Sequence, residues 1–113
     1  MILNKSIEYF RAFSKKDIKK LENMFSDNVS LRDWQIYAKG IEKVLEANSK
    51  IFNTVNTISV NIIKVFISHE DSSVIAELEI IINTNQSMEK ILVTDILEFD
   101  KENKIKSIRA YKG

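Results

Sequence analysis

The chain of 113 residues contains no cysteine, no proline, two glycines and a single histidine. The absence of cysteine excludes disulfides, thiolate metal sites and cysteine nucleophiles. Two glycines, Gly40 and Gly113, cannot build the glycine-rich loops that bind the phosphates of a nucleotide. The single histidine, His69, lies in a polar stretch that is typical of a hairpin turn. We therefore expect neither a cofactor nor a metal ion.

Long apolar runs and an excess of one charge are also missing. No run approaches the roughly 20 apolar residues of a membrane helix, and Met1–Ser6 lacks the features of a signal peptide. Lysine and arginine number 17 against 16 acids, and the basic residues are spread along the chain. We expect a cytoplasmic protein that binds neither membrane nor nucleic acid.

The composition is that of a globular protein, with 44% apolar and 29% charged residues. The length suits one domain, and the sequence has no repeat, low-complexity tract or linker. Residues 1–113 are therefore predicted to form a single domain with one site.

Three helices are predicted in the first half, because apolar residues recur there at steps of three and four. The second helix follows Asp17, whose carboxylate can cap the free amides of the first turn. A brief extended segment, Val29–Asp33, and an irregular stretch to Gly40 precede the third helix. The apolar sides contain Leu3, Ile7 and Phe10, then Ile18, Leu21 and Met24, then Ile41, Val44, Leu45, Asn48 and Phe52.

From about Thr54 the apolar period changes to two, and three polar turns separate four long strands. The first strand changes phase after Ile62, which indicates a bulge or a sharp bend. Helices followed by sequentially paired strands predict an α+β fold with helices on one face of an antiparallel sheet. The other face mixes isoleucines with charged residues, which favours a homodimer formed through the sheet over scattered exposed isoleucines.

Asp95 is the most informative residue. Alternation places it on the same face of its strand as Ile91, Val93, Leu97 and Phe99, so the carboxyl group points toward the core. A buried aspartate must be neutral, paired or facing a cavity, and desolvation raises its pKa. The alternative is a structural acid that is paired with Arg109 or a backbone amide.

The sequence resembles the nuclear transport factor 2-like superfamily, which includes ketosteroid isomerase and the SnoaL-like polyketide cyclases. The similarity spans essentially the whole chain and lies in diffuse segments: Tyr9 in the first helix, DIKKLENMF, Leu31–Asp33, KGIEKVL and TDILEFDKENKIKSIRAYKG. It implies a cone in which three N-terminal helices pack on a curved mixed, mostly antiparallel sheet.

Matched to ketosteroid isomerase, the resemblance implies a catalytic set of Tyr9, Asp33 and Asp95. Asp33 would be the base, and Tyr9 and protonated Asp95 would donate hydrogen bonds to an enolate oxygen. In ketosteroid isomerase an apolar site keeps the corresponding acid neutral. Trp34 stands where the isomerases usually have proline, and Arg32 could pair with Asp33.

Trp34 and Tyr37 are predicted to line or cover the open end of the cone, and Phe13 is predicted to be a further ligand-binding residue. The alternative for Trp34 and Tyr37 is packing against the third helix. The leading hypothesis is a pocket protein for an apolar carbonyl compound, with acid and base chemistry. A noncatalytic dimeric binding or assembly module is the second hypothesis. A SnoaL-like cyclase or dehydratase is the third hypothesis. That class often pairs a histidine with an acid, and the single histidine of this chain, His69, lies in a predicted turn.

Overall fold

The computed structural model describes residues 1–113 as three helices and one six-stranded sheet. The helices are α1 (Ile2–Ser14), α2 (Ile18–Met24) and α3 (Ile41–Thr54). The strands are β1 (Phe25–Arg32), β2 (Tyr37–Lys39), β3 (Thr57–Ser68), β4 (Ser73–Asn83), β5 (Met88–Phe99) and β6 (Ile105–Lys112). The predicted α+β architecture is confirmed.

The helix boundaries follow local chemistry. Asp17 caps α2, and its side chain accepts a hydrogen bond from the Lys20 amide at 3.1 Å. Gly40 precedes α3 with φ of 93°, a left-handed conformation that a residue with a side chain rarely adopts. Helix α3 can therefore begin at Ile41, directly after the short strand β2.

The sheet has the order β2-β1-β6-β5-β4-β3, and only the β1–β6 pair is parallel. Strand β1 begins at Phe25, four residues before the predicted start at Val29. Strand β2 lies in the stretch that was predicted to be irregular, where Ser30 pairs with Lys39 and Arg32 with Tyr37. Both differences arise from pairing between strands, which the local pattern of apolar residues does not report.

The predicted irregularity in β3 is confirmed by a register shift against β4 between Ile62 and Lys64. Because the bulge restores the phase, Val65 and Ile67 pair with Ala76 and Val74 of β4. A bulge increases the local twist and bends the strand. The sheet thus curves around the helices and leaves space at one end.

Two faces of the sheet differ in character. The inner face packs against the helices, and its narrow end is filled by side chains such as Leu97, Phe99 and Ile105. The outer face carries Phe66, Leu92 and Tyr111, each more than half exposed. None of the three helices has the length and hydropathy of a membrane-spanning segment.

Candidate functional site

A cavity of about 330 Å³ lies at the wide end of the cone, between the helices and the inner face of the sheet. Of its 24 lining residues, 17 are hydrophobic. Its volume is at the lower end of the range for small-molecule sites in proteins. Such a cavity suits a small, mainly apolar molecule with few polar groups.

Asp95 reaches this cavity from the centre of β5. Alternation buries Val93, Asp95 and Leu97 on the inner face, and Asp95 is 8% exposed. Its carboxyl group forms no hydrogen bond or ion pair with another residue. Arg109 lies on the outer face, where its Nη1 is 3.0 Å from Glu98 Oε1, so the alternative pair of Asp95 with Arg109 does not form.

Burial, and secondarily the negative charge of Asp33, raise the pKa of Asp95 from its ordinary 3.8 to about 7. The cause is mainly the loss of hydration of the charged form in an apolar surrounding. Near neutral pH a substantial fraction of Asp95 is therefore an uncharged acid, which can donate a hydrogen bond into the cavity.

Tyr9 reaches the cavity wall from α1 and is 3% exposed. Its ring packs against Phe10, Phe13 and Phe25, with centroid distances of 5.3, 6.1 and 6.2 Å, which restrains the direction of its hydroxyl group. Burial, and secondarily the Asp95 carboxyl group, raise the pKa of Tyr9 well above its ordinary value. Tyr9 therefore stays protonated and remains a hydrogen-bond donor.

Asp33 follows β1 and also lines the cavity. Its Oδ1 accepts hydrogen bonds from the amides of Gln35 at 2.7 Å and Ile36 at 2.6 Å, and its own amide donates to the Ile36 carbonyl. This turn orients the carboxylate. Its second oxygen, Oδ2, makes no hydrogen bond within the protein and is available to a ligand.

Tyr37 and Arg32 lie outside the cavity lining, which differs from the prediction for Tyr37. In the short strand β2 only Ala38 is buried, so Tyr37 points outward and is 59% exposed. The Arg32 guanidinium stacks over the Tyr37 ring at 4.4 Å. Arg32 therefore forms a cation–π contact and no ion pair with Asp33.

Trp34 and Phe13 both line the cavity. Trp34 is 43% exposed and, with the exposed side chains of Gln35, Glu89 and Lys112, marks the opening. The Lys112 ammonium group is 5.8 Å from the centre of the Trp34 ring. Phe13 lies deeper, and its ring packs edge-on against Phe52 of α3 at 5.0 Å.

Asn48 of α3 also lines the cavity and was not among the predicted site residues. It is 1% exposed, and its amide makes no hydrogen bond within the protein. The signal in the sequence was a polar residue on the apolar side of a helix, between Val44 and Phe52. His69 lies in the exposed β3–β4 turn, as predicted.

A comparison with protein families identifies the chain. A family model described as a SnoaL-like domain matches residues 7–108. The chain belongs to this SnoaL-like family. The match spans most of α1, all of α2 and α3, and the cavity residues from Tyr9 to Ile108, so Tyr9, Asp33 and Asp95 lie within the family domain. No curated protein sequence matches the chain.

Solved structures show the same cone in other proteins. One is the epoxide hydrolase/cyclase-like enzyme SalBIII, which has a role in pyran ring formation in the polyether salinomycin. Its structure matches with a TM-score of 0.87 and 19% sequence identity, and the match covers 99% of this chain and 90% of that chain. An LEH-like epoxide hydrolase from M. tuberculosis has a TM-score of 0.86 and 13% identity, covering 99% and 82%. At these identities the similarity shows the fold.

A third structure is similar and holds a small molecule. It is a protein with a ketosteroid isomerase-like fold from Catenulispora acidiphila, in complex with trimethylamine. Its TM-score is 0.84 at 14% identity, with 95% of this chain and 83% of that chain covered. The fold of this SnoaL-like chain therefore occurs in proteins with different names, and the chemistry of the chain depends on its own cavity.

Proposed function

We propose that this SnoaL-like protein binds a small carbonyl compound in the cavity and transfers a proton at the carbon next to the carbonyl group. The observation that carries the proposal is Asp95, a buried carboxyl group with a raised pKa that faces an apolar cavity together with Tyr9. A carboxyl group in this state donates a hydrogen bond where a solvated aspartate would not.

The reaction requires a base and stabilisation of the negative charge that develops. Asp33 removes the α proton through its free oxygen Oδ2, and the electron pair of the C–H bond moves into the carbonyl group to form an enolate. Tyr9 and neutral Asp95 donate hydrogen bonds to the enolate oxygen, where they stabilise the charge. Asp33 then returns the proton to the same carbon or to a conjugated one.

The apolar lining supports this assignment on energetic grounds. A hydrogen bond to a developing charge is stronger where water is excluded, because the effective dielectric constant is lower. Phe13 and Ile108 line the same cavity, so the reacting atoms are surrounded by side chains that do not compete for hydrogen bonds. The volume of about 330 Å³ favours a compound of one or two rings.

The test uses the β,γ-unsaturated isomer of cyclohexenone. We expect the protein to convert it to the conjugated ketone and to incorporate deuterium from D₂O at the γ carbon of that product, where the proton is returned; NMR detects both. Binding is followed independently through Trp34, the single tryptophan, at the cavity opening. Binding without isomerisation or deuterium incorporation in a panel of cyclic ketones would contradict the catalytic assignment and support a binding module.

A second candidate is the opening of an epoxide by water or by an internal hydroxyl group. The similar structures include an epoxide hydrolase and an epoxide hydrolase/cyclase-like enzyme, and the cavity is lined by two carboxyl groups, those of Asp33 and Asp95. Neutral Asp95 would give its proton to the epoxide oxygen while Asp33 takes a proton from the attacking hydroxyl group. Conversion of styrene oxide to its diol, without ketone isomerisation, would favour this candidate.

We also propose that two copies associate through the outer face of the sheet. Phe66 pairs with Ile75, and Ile75 with Ile96, so these side chains form an apolar row across three strands. Leu92 and Tyr111 extend the apolar surface. Covering such an exposed apolar surface with the same surface of a second copy removes it from water, which stabilises the dimer.

Sedimentation tests the association. The wild-type protein is expected to sediment at twice the 13.1 kDa mass of the chain, and Phe66→Lys at the mass of one chain, because the lysine places a charge in the contact. Asn53→Lys, at an exposed position of α3, is the matched control and should remain dimeric. A monomeric wild-type protein at micromolar concentration would refute the proposal.

A further inference from the structure

Asn48 is a buried polar group without a partner in the protein. Helix α3 places it on the cavity wall, where it is 1% exposed. Its Oδ1 is inaccessible and unpaired, and its Nδ2 makes no hydrogen bond either. Nearly all buried side-chain amides in proteins have a partner, so an unpaired one needs an explanation.

The arrangement lowers the stability of the empty protein. A carboxamide that leaves water without a new hydrogen bond loses free energy, whereas a leucine of similar volume would pack favourably among the apolar neighbours. Side chains that lower the stability of the folded protein and make no compensating contact within it are concentrated at binding and catalytic sites. The position of Asn48 on the cavity wall indicates that its partner is a ligand.

We infer that Asn48 is a specificity-determining residue that binds a hydroxyl group of the ligand. A carboxamide offers one acceptor and one donor group, and a hydroxyl group both donates and accepts. The inference holds whichever way the amide is turned, because the amide atom that faces the cavity is either a donor or an acceptor, and a hydroxyl group can pair with both. It rests on the proposed function and narrows the substrate class to hydroxylated carbonyl compounds.

The two polar regions of the cavity come from different elements. Asn48 belongs to α3, whereas Asp95 belongs to β5 and Tyr9 to α1. The carbonyl oxygen is bound by Tyr9 and Asp95, and the hydroxyl group by Asn48. A charged group at the Asn48 position is disfavoured, because a neutral amide in an apolar wall cannot compensate for the lost hydration of an ion.

The test compares two ligands that differ in one hydroxyl group, β-tetralone and its phenolic hydroxy analogue. We expect the wild-type protein to bind the hydroxy compound about tenfold more tightly, as one additional hydrogen bond provides. In Asn48→Leu this preference should disappear, while the melting temperature without ligand should rise. The side-chain amide resonance of Asn48 should shift with the hydroxy compound and not with β-tetralone.

Controls and contrary outcomes are distinct. Asn53→Leu makes the same substitution at an exposed position of α3 and should keep the tenfold preference; Asn48→Ala replaces Asn48→Leu if the latter does not fold. Equal wild-type affinities, or an unchanged tenfold preference in Asn48→Leu or Asn48→Ala, would overturn the inference and leave the proposed function intact. A wild-type protein that binds neither compound would overturn both.

Discussion

Asp95→Ala is expected to lower kcat for ketone isomerisation by about 10²–10³-fold, the loss that follows removal of one hydrogen-bond donor from a developing oxyanion. The alanine also leaves Tyr9 in place as the remaining donor, so some activity should persist. Steady-state kinetics measure the effect as kcat and KM separately. The loss should fall on kcat, because the hydrogen bond strengthens as charge develops on the oxygen.

Asp95→Asn separates hydrogen bonding from proton titration. The asparagine keeps the shape and a donor group, so its activity should lie well above that of Asp95→Ala. In the wild-type protein the rate should fall as pH rises through about 7, because Asp95 then ionises and can no longer donate. Asp95→Asn should not show this fall.

Thr94→Ala, the neighbouring residue of β5 on the outer face, is the control and should retain the wild-type rate and pH profile. Full activity of Asp95→Ala would remove Asp95 from the reaction. Its burial would then concern stability alone.

The second large effect concerns stability. In the unfolded chain Asp95 has its ordinary pKa of 3.8, and in the folded protein burial raises this pKa to about 7. Between these two pH values the folded state holds a proton that the unfolded state has released, so the free energy of unfolding falls as pH rises. The accumulated loss is about 4 kcal/mol, and no more is lost above pH 7.

Asp95→Asn removes this penalty. The variant should match the wild-type protein at pH 4, where Asp95 is neutral when folded, and exceed it by about 4 kcal/mol at pH 8. Such a gain is a large share of the 5–15 kcal/mol that stabilises a typical domain. Urea denaturation at the two pH values measures the difference.

The exposed Asp27→Asn, in β1, serves as the control for the change of charge and should show no such divergence. If Asp95→Asn and the wild-type protein kept the same difference at both pH values, Asp95 would titrate normally in the folded state. The neutral-acid mechanism would then be wrong.

These two predictions connect function and stability through one group. The apolar cavity that makes ionised Asp95 unfavourable also makes neutral Asp95 an effective donor. Asn48 follows the same pattern. Its unpaired amide lowers the stability of the empty protein, and we expect it to gain a hydrogen bond, and so to stabilise the complex, when the ligand binds.

Much of the fold followed from local sequence patterns. Steps of three and four placed the three helices, Asp17 marked the start of the second, and period two with polar turns placed four strands. The same alternation placed Asp95 on the inner face, which the burial of β5 confirms. These features depend on residues that are close together within one helix or strand, so they can be predicted from a single sequence.

Other features required the assembled chain. The edge strand β2 pairs with β1, and this pairing turns Tyr37 away from the cavity whose open end it was predicted to line or cover. Asn48 was visible as a polar residue on an apolar helix side, yet its lack of a partner depends on what the sheet and α1 bring against α3. Pairing with Arg109 was excluded only by the register of β6 against β5.

The sequence by itself therefore determined the order of the three helices and the four long strands, the inward direction of Asp95 and the absence of cysteine chemistry. The tertiary structure decided that the cone is open, that Asp33 and Tyr9 share its cavity with Asp95, and that the pKa of Asp95 rises. Side-chain direction is fixed by backbone geometry within one strand, whereas desolvation and charge interactions depend on distances between residues far apart in the chain.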